Sequence, residues 1–258
     1  SCSIICKKHN LLVNYNDKND KRYLNQIEKL GILLFYGTNS FEETININDR
    51  NWYAFFSGSK SNFNVRLVKS QYFQEKLITD EILKYLHDEE IMNHYINNNC
   101  YKIRFNNNND CFIHIRLGDV TNHLNINNIF KYYNYILNNI NVDNIYISSD
   151  SPQHKKIQEL SKLYSNLSLI TYNEINTIKF GSTCKYVILS HGTFSATIGY
   201  LSYYSNVYYY IPNKKKRVKF ENIHLFTDKY SKIKYWTGVD ISIFDDEIQV
   251  NYEESIPF

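Results

Sequence analysis

Between residues 111 and 211 the sequence alternates short apolar runs with amphipathic stretches of about a dozen residues, and this constrains the fold more than any other feature. The apolar runs are 111–116, 144–149, 167–171, 186–190 and 207–211. The helical stretches between them are 126–139, 153–164, a poorer one near 174–182, and 194–203. Strands that alternate with helices in this way make βαβ units and a parallel sheet. Right-handed crossovers then bring every strand's carboxyl end to one rim, where open α/β sheets bind their ligands. That rim carries Arg116, Asp119, the segment 148–150, Tyr172 and the segment 190–195.

Three strand ends carry the candidate chemistry. The stretch CFIHIRLGDV (111–120) reads as a buried strand stopped by a Gly-Asp turn. Period two puts His114 and Arg116 on one face, with Asp119 in the turn beyond. An arginine there suits an anion in the crevice; the competing reading pairs it with Asp119 as a strand-end ion pair. In SHGTFS (190–195), Gly192 permits a tight turn, and Thr193 and Ser195 would offer hydroxyls and N–H groups at a helix N-terminus, as an anion site or a plain cap. IYISSD (145–150) ends on Asp150, suited to a ribose hydroxyl or base edge, or to capping the next helix. A cation, an acid and a helix N-terminus together describe a nucleoside diphosphate site. There is no P-loop lysine motif and no GxGxxG, which excludes P-loop NTPases and dinucleotide enzymes of that type. His191 is a candidate general base or a backbone-bonding histidine. Asp245, Asp246 and Glu247 could mimic a metal-binding acid pair or form a solvated turn, Cys184 reads as core, and Asn166 heads a lone glycosylation sequon.

The first hundred residues are less regular. Residues 1–10 read as the second half of an amphipathic helix, so a strand, a loop and the first helical turns are expected upstream, and the recorded chain is expected to be poorly active. Expected next are a strand over 11–15, a helix over 22–30 stopped by Gly31, strands at 51–56 and 65–68, and one long helix over 79–96 with Ile82, Leu83, Leu86, Ile91 and Tyr95 near one face. The Asn-rich segment 97–110 is the expected boundary between two halves, 1–105 and 106–258. A length of 258 residues accommodates one large or two small domains. The net charge of +3 is too weak to argue for nucleic acid. Abundant Asn, Ile, Lys and Tyr, all with AT-rich codons, reads as genomic bias. Five scattered cysteines without a CxxC pair favour free thiols, disfavour structural zinc, and suggest a reducing, cytoplasmic setting. No apolar stretch approaches the ~20 residues of a membrane span.

These motifs resemble those of the GDP-fucose-dependent fucosyltransferases, most closely the α1,2 group. HIRLGD (114–119) is similar to the HxRRxD motif, the segment 190–202 to the later S/T-F-S motif and its helix, SQYFQE (70–75) to the GYFQ stretch before the HxRR strand, and KKHNL (7–11) to the end of the first helix. They fall in family order over residues 1 to about 211. The resemblance implies an α/β, GT-B-like enzyme with two Rossmann-like lobes and parallel sheets: an acceptor-side lobe in 1–105 and a nucleotide-sugar lobe in 106–258. It implies an inverting transfer of fucose or a related deoxyhexose from GDP-sugar to a glycan hydroxyl, α1,2-linked, with no metal and no cofactor. Arg116 would hold the donor diphosphate, His114 would support the nucleotide, Asp119 would complete the catalytic motif, Thr193, Phe194 and Ser195 would line phosphate and base, and Asp150 would contact guanine or ribose. The expected partners are thus a nucleotide-sugar donor and a glycan acceptor. Leu117 stands where the motif has its second arginine, Ala196 and Thr197 replace an aromatic pair, and the family's G-x-G-N-Q loop would fall before Ser1. The alternatives are the same scaffold with another donor, such as a rhamnosyl one, or a catalytically silent glycan- or nucleotide-binding relative.

Overall fold

The computed structural model describes residues 2–12, 18–59, 61–68, 73, 75–118, 126–211, 236–240 and 244. In chain order the first half contains α1 (Cys2–His9), α2 (Lys18–Leu30), β1 (Thr44–Ile47), α3 (Asp49–Ser57), β2 (Asn64–Leu67), α4 (Lys76–Leu86) and α5 (Glu89–Asn97). The strands β1 and β2 pair in parallel with α3 as crossover. Segment 51–56, expected as a strand, is therefore helical. Trp52, Phe55 and Phe56 stand at i, i+3, i+4, and Asn48 and Asn51 form a reciprocal capping box, so local capping outweighs aromatic β-propensity. The single helix expected over 79–96 is two helices, because the Asp88 side chain accepts from the Glu90 amide and starts a new turn. The strand expected over 11–15 is reduced, among its described residues, to one bridge between Leu11 and Asn39.

The second half follows the expected alternation: β3 (Cys111–Ile115), α6 (Ile126–Leu137), β4 (Ile145–Ser149), α7 (Lys155–Leu163), β5 (Leu167–Leu169), α8 (Glu174–Gly181), β6 (Tyr186–Ile188), α9 (Thr193–Tyr200) and β7 (Asn206–Ile211). A further strand, β8 (Trp236–Asp240), lies in the tail, where none was expected. All six strands are parallel, in the order β5-β4-β3-β6-β7-β8. Counted from β3 this is 3-2-1-4-5-6, the Rossmann order, and strand succession reverses between β3 and β6. The fold is thus α/β with parallel sheets.

Side chains leave β3 alternately. Cys111, Ile113, Ile115 and, beyond the strand, Leu117 pack with Ile129, Tyr133, Ile157 and Leu160 of α6 and α7. Phe112 faces the other way, with Ile178 and Phe180 of α8 and Ala196 and Ile198 of α9. That second cluster continues into Ile4, Ile5, Trp52, Leu83 and Tyr95, so residues 1–105 and the sheet share one apolar core. Polar contacts fix the junction: Tyr95 Oη lies 2.8 Å from Ser182 Oγ, Tyr203 Oη donates to the Leu86 carbonyl at 3.1 Å, and His87 Nε2 lies 2.9 Å from the Tyr200 carbonyl. Below the sheet, Arg104 donates to Asp110 (2.6 Å) and Thr183 (3.2 Å) and lies over the Phe180 ring at 4.6 Å. This clamp holds the entry of β3 opposite to the rim where the candidate residues gather.

Candidate anion site at the switch point of the sheet

At its carboxyl end the β3 backbone outruns its ladders, past Ile113 on the β6 side and past Ile115 on the β4 side, and side chains from three other elements take over its hydrogen bonds. The last pair with β4 is Ile115 with Ser149, and the last with β6 is Ile113 with Ile188. The Tyr133 hydroxyl, from α6, donates to the His114 carbonyl at 3.3 Å. The Arg116 amide donates to Ser190 Oγ at 3.2 Å. The amides of Leu117 and Gly118 donate to Asp150 Oδ1 at 2.9 Å and Oδ2 at 3.0 Å. Buried backbone groups need partners, and a strand end that overshoots its neighbours finds them only among side chains.

Period two continues through this exit. Arg116 points to the α9 side, while Leu117 is 1% exposed among the residues packed on α6 and α7. The position of the motif's second arginine is thus a core position here, and Leu117 anchors the turn. Arg116 extends across the switch point to the turn between β6 and α9. A Cβ on Gly192 would lie 2.5 Å from Arg116 Nη1, so the guanidinium rests directly on the glycine. With φ +93° and ψ 165°, Gly192 is also in a backbone region that is essentially glycine-only. Gly192 is the N-cap residue of α9 and, having no side chain, places no cap hydrogen bond on that helix. A guanidinium beside the first N–H groups of a helix is a place for an oxyanion.

His114 lies under this point, 7% exposed, with its ring 5.0 Å from Phe194. Its Nδ1 has no hydrogen-bond partner among the described residues. Burial lowers its pKa to about 4; the Asp150 carboxylate opposes that shift, while His191 and Arg116 add to it. The imidazole is therefore neutral near pH 7. Ser190 Oγ, which accepts from Arg116, lies 3.3 Å from His191 Nδ1. Tyr132, beside Tyr133 on α6, donates to the Leu189 carbonyl at 3.3 Å. Burial pushes the pKa of both tyrosines up, so both hydroxyls stay protonated donors.

The structure thus brings His114, Arg116, Asp150, Thr193, Phe194 and Ser195 to one end of the sheet, with differing orientations. Thr193 is exposed and Phe194 half-buried. Ser195 is fully buried, and its hydroxyl accepts from the Ser190 amide at 2.8 Å, closing the β6–α9 turn from inside. Asp150 is spent on the 117–118 turn, and α7 is capped by His154 instead. Asp119, residues 245–247 and most of the segment 70–75 lie outside the described residues. Cys184 is buried, as expected. The sequon residue Asn166 donates its amide to the Val142 and Asp143 carbonyls. Sequence reasoning missed Tyr132 and Tyr133, and it placed Ser190 on the rim without its hydrogen bond to the Arg116 amide. The available signal was the adjacent tyrosines on the face of α6 that packs on the sheet, since a buried tyrosine hydroxyl needs an acceptor. Among the described residues no helix is long and apolar enough to cross a membrane.

No protein-family model matches the chain, and no curated protein does. Among solved structures it is similar to the fucosyltransferase NodZ from Bradyrhizobium, with 13% identity and a TM-score of 0.40, covering 62% of this chain and 58% of that one. The selenomethionine form of that enzyme matches at 15% identity and a TM-score of 0.36, covering 58% and 54%. A NodZ α1,6-fucosyltransferase structure soaked with GDP-fucose matches at 14% identity and 0.34, covering 57% and 55%. The match spans little more than half the length of these enzymes.

Proposed function

We propose that this chain binds a nucleoside diphosphate sugar at the β3/β6 switch point and transfers the sugar, fucose or a related deoxyhexose from a GDP donor, to a glycan hydroxyl with inversion. One observation carries the reading: the Arg116 guanidinium rests on Gly192 at the N-terminus of α9, where strand order reverses. When the glycosidic bond to the diphosphate breaks, negative charge grows on the leaving phosphate. A guanidinium and helix N–H groups held in place stabilise that charge most where it peaks, in the transition state. The sugar carbon becomes oxocarbenium-like, and the acceptor oxygen attacks from the opposite face. His114, neutral and with Nδ1 without a partner among the described residues, offers a hydrogen-bonding atom beside the same anion. The motif order of the sequence supports a GDP-fucose donor and an α1,2 product, whereas one similar NodZ structure is described as an α1,6 enzyme. The linkage is therefore part of the test.

Calorimetric titration with GDP, UDP, dTDP and CMP in EDTA tests the donor, and incubation with GDP-fucose and a lactose-type acceptor, with linkage analysis of the product, tests the reaction. Binding of GDP ahead of the other nucleotides, undiminished by EDTA, together with a fucosylated product, is expected. Binding without transfer would make the chain a silent relative. Binding that EDTA abolishes would overturn the metal-free reading.

A further inference from the structure

We propose that Asp150 is a positioning residue, which clasps the turn after β3 and through it aims Arg116 at the diphosphate, and that it makes no contact with ribose or base. This rests on the functional reading above and assigns Asp150 a different part in it. Both carboxylate oxygens are engaged within the chain itself, Oδ1 by the Leu117 amide and Oδ2 by the Gly118 amide. The seat is close-fitting: a Cβ on Gly118 would come 2.9 Å from Oδ2, so glycine lets the carboxylate close on the turn. The ladder between β3 and β4 ends at Ile115 and Ser149, so Asp150 is the group from β4 that extends support past the sheet. Ser190 holds the amide of Arg116 from the other side, and the buried Leu117 side chain pins the turn from below. Arg116 is the residue at this pivot, and its guanidinium meets Gly192 across the switch point.

The effect expected of removing the Asp150 charge is opposite in sign to simple electrostatics. Taking a carboxylate away from beside an anion site should, by charge alone, strengthen anion binding. If Asp150 positions Arg116, Asp150→Asn should weaken it, because the amide sets an NH2 donor against a backbone N–H and leaves one turn amide unheld. Affinities of wild type, Asp150→Asn, Asp150→Ala, Arg116→Ala and the double variant Asp150→Asn/Arg116→Ala should be measured for GDP and for inorganic pyrophosphate, which has neither ribose nor base. Amide hydrogen exchange at Leu117 and Gly118 should be followed without ligand, with melting curves as a check of folding. The expected result is a loss of roughly tenfold or more for both ligands, on the scale seen when an outer partner of a binding group is removed. Exchange at the two amides should be faster, and Asp150→Asn should cost nothing further once Arg116 is absent. Loss for GDP with pyrophosphate binding unchanged or improved would overturn the proposal in favour of a nucleoside contact. Exchange at Leu117 and Gly118 equal to wild type would overturn it as well. If wild type binds neither ligand, the functional reading fails; the exchange data then still decide whether Asp150 clasps the turn.

Discussion

Arg116 is held in place by what surrounds its backbone. Its amide is held by Ser190, its successor Leu117 is locked in the core, and its guanidinium lies on a glycine that leaves room for it. An ammonium in the same place would be a point charge on a flexible stem, without the planar fork that meets two phosphate oxygens at once. Arg116→Lys should therefore slow single-turnover transfer by roughly a hundred- to thousandfold, the worth of one preorganised oxyanion donor. The effect should fall on the chemical step more than on donor affinity, since charge on the leaving phosphate peaks at the transition state. Arg116 is half-buried, so the melting temperature should stay near that of wild type. A large drop in melting temperature with a near-normal rate would make Arg116 a structural ion-pair residue, and the donor site would have to be sought elsewhere.

The elements around the site meet through a few hydrogen bonds that sequence patterns do not encode. On α6, Tyr133 donates to the His114 carbonyl; Tyr135 on the same helix is 45% exposed. Tyr133→Phe keeps the ring and removes the hydroxyl, leaving a buried strand-end carbonyl without its donor, which costs about 1–3 kcal/mol. Tyr135→Phe should stay within about 0.5 kcal/mol of wild type, as an exposed substitution does. Denaturant midpoints of the two variants compare them directly, and equal midpoints would remove Tyr133 from the support of β3. The same contrast explains what was legible. The β3 to β7 alternation could be read from the sequence because each strand is a short apolar run closed by a turn and each helix shows one apolar face. Helix α3 was misread because its three aromatics satisfy both a strand propensity and a helical spacing. The break at Asp88 was missed because the apolar face of α4 continues into α5. At the site, residue types and rim position were legible, but direction was not. That Ser195 turns inward and that Asp150 reaches back to Leu117 and Gly118 depends on how far β3 outruns its neighbours, a property of the assembled sheet.

Across the described residues of the whole molecule, three histidines are held toward their neutral form at separate points: His9 in α1 and His114 beneath the candidate anion site, both buried, and the half-buried His87 at the junction of α4 with α9. In each the dominant cause of the lowered pKa is loss of hydration of the charged ring. The unfolded chain takes up these protons near pH 6.5, and the folded chain does so only at lower pH. Their contribution to stability is therefore complete above pH 6.5 and is lost as pH falls toward the folded pKa values, about 4 for His114. For His114 alone the loss by pH 5 is about 2 kcal/mol, and the other two add to it in the same direction. Most carboxylates titrate near pH 4, so the interval from pH 7 to 5 isolates the histidines. Urea midpoints measured across it at constant ionic strength should fall steadily. Replacing His114 by Asn, which has no proton to gain, should flatten the slope, and His87→Gln should flatten it further. Midpoints independent of pH from 7 to 5 would mean that these rings gain their protons as easily folded as unfolded, and that the interior around His114 and α9 admits water. Added GDP should offset part of the acid loss in wild type, because a diphosphate beside His114 favours its charged form, and the offset should shrink in His114→Asn.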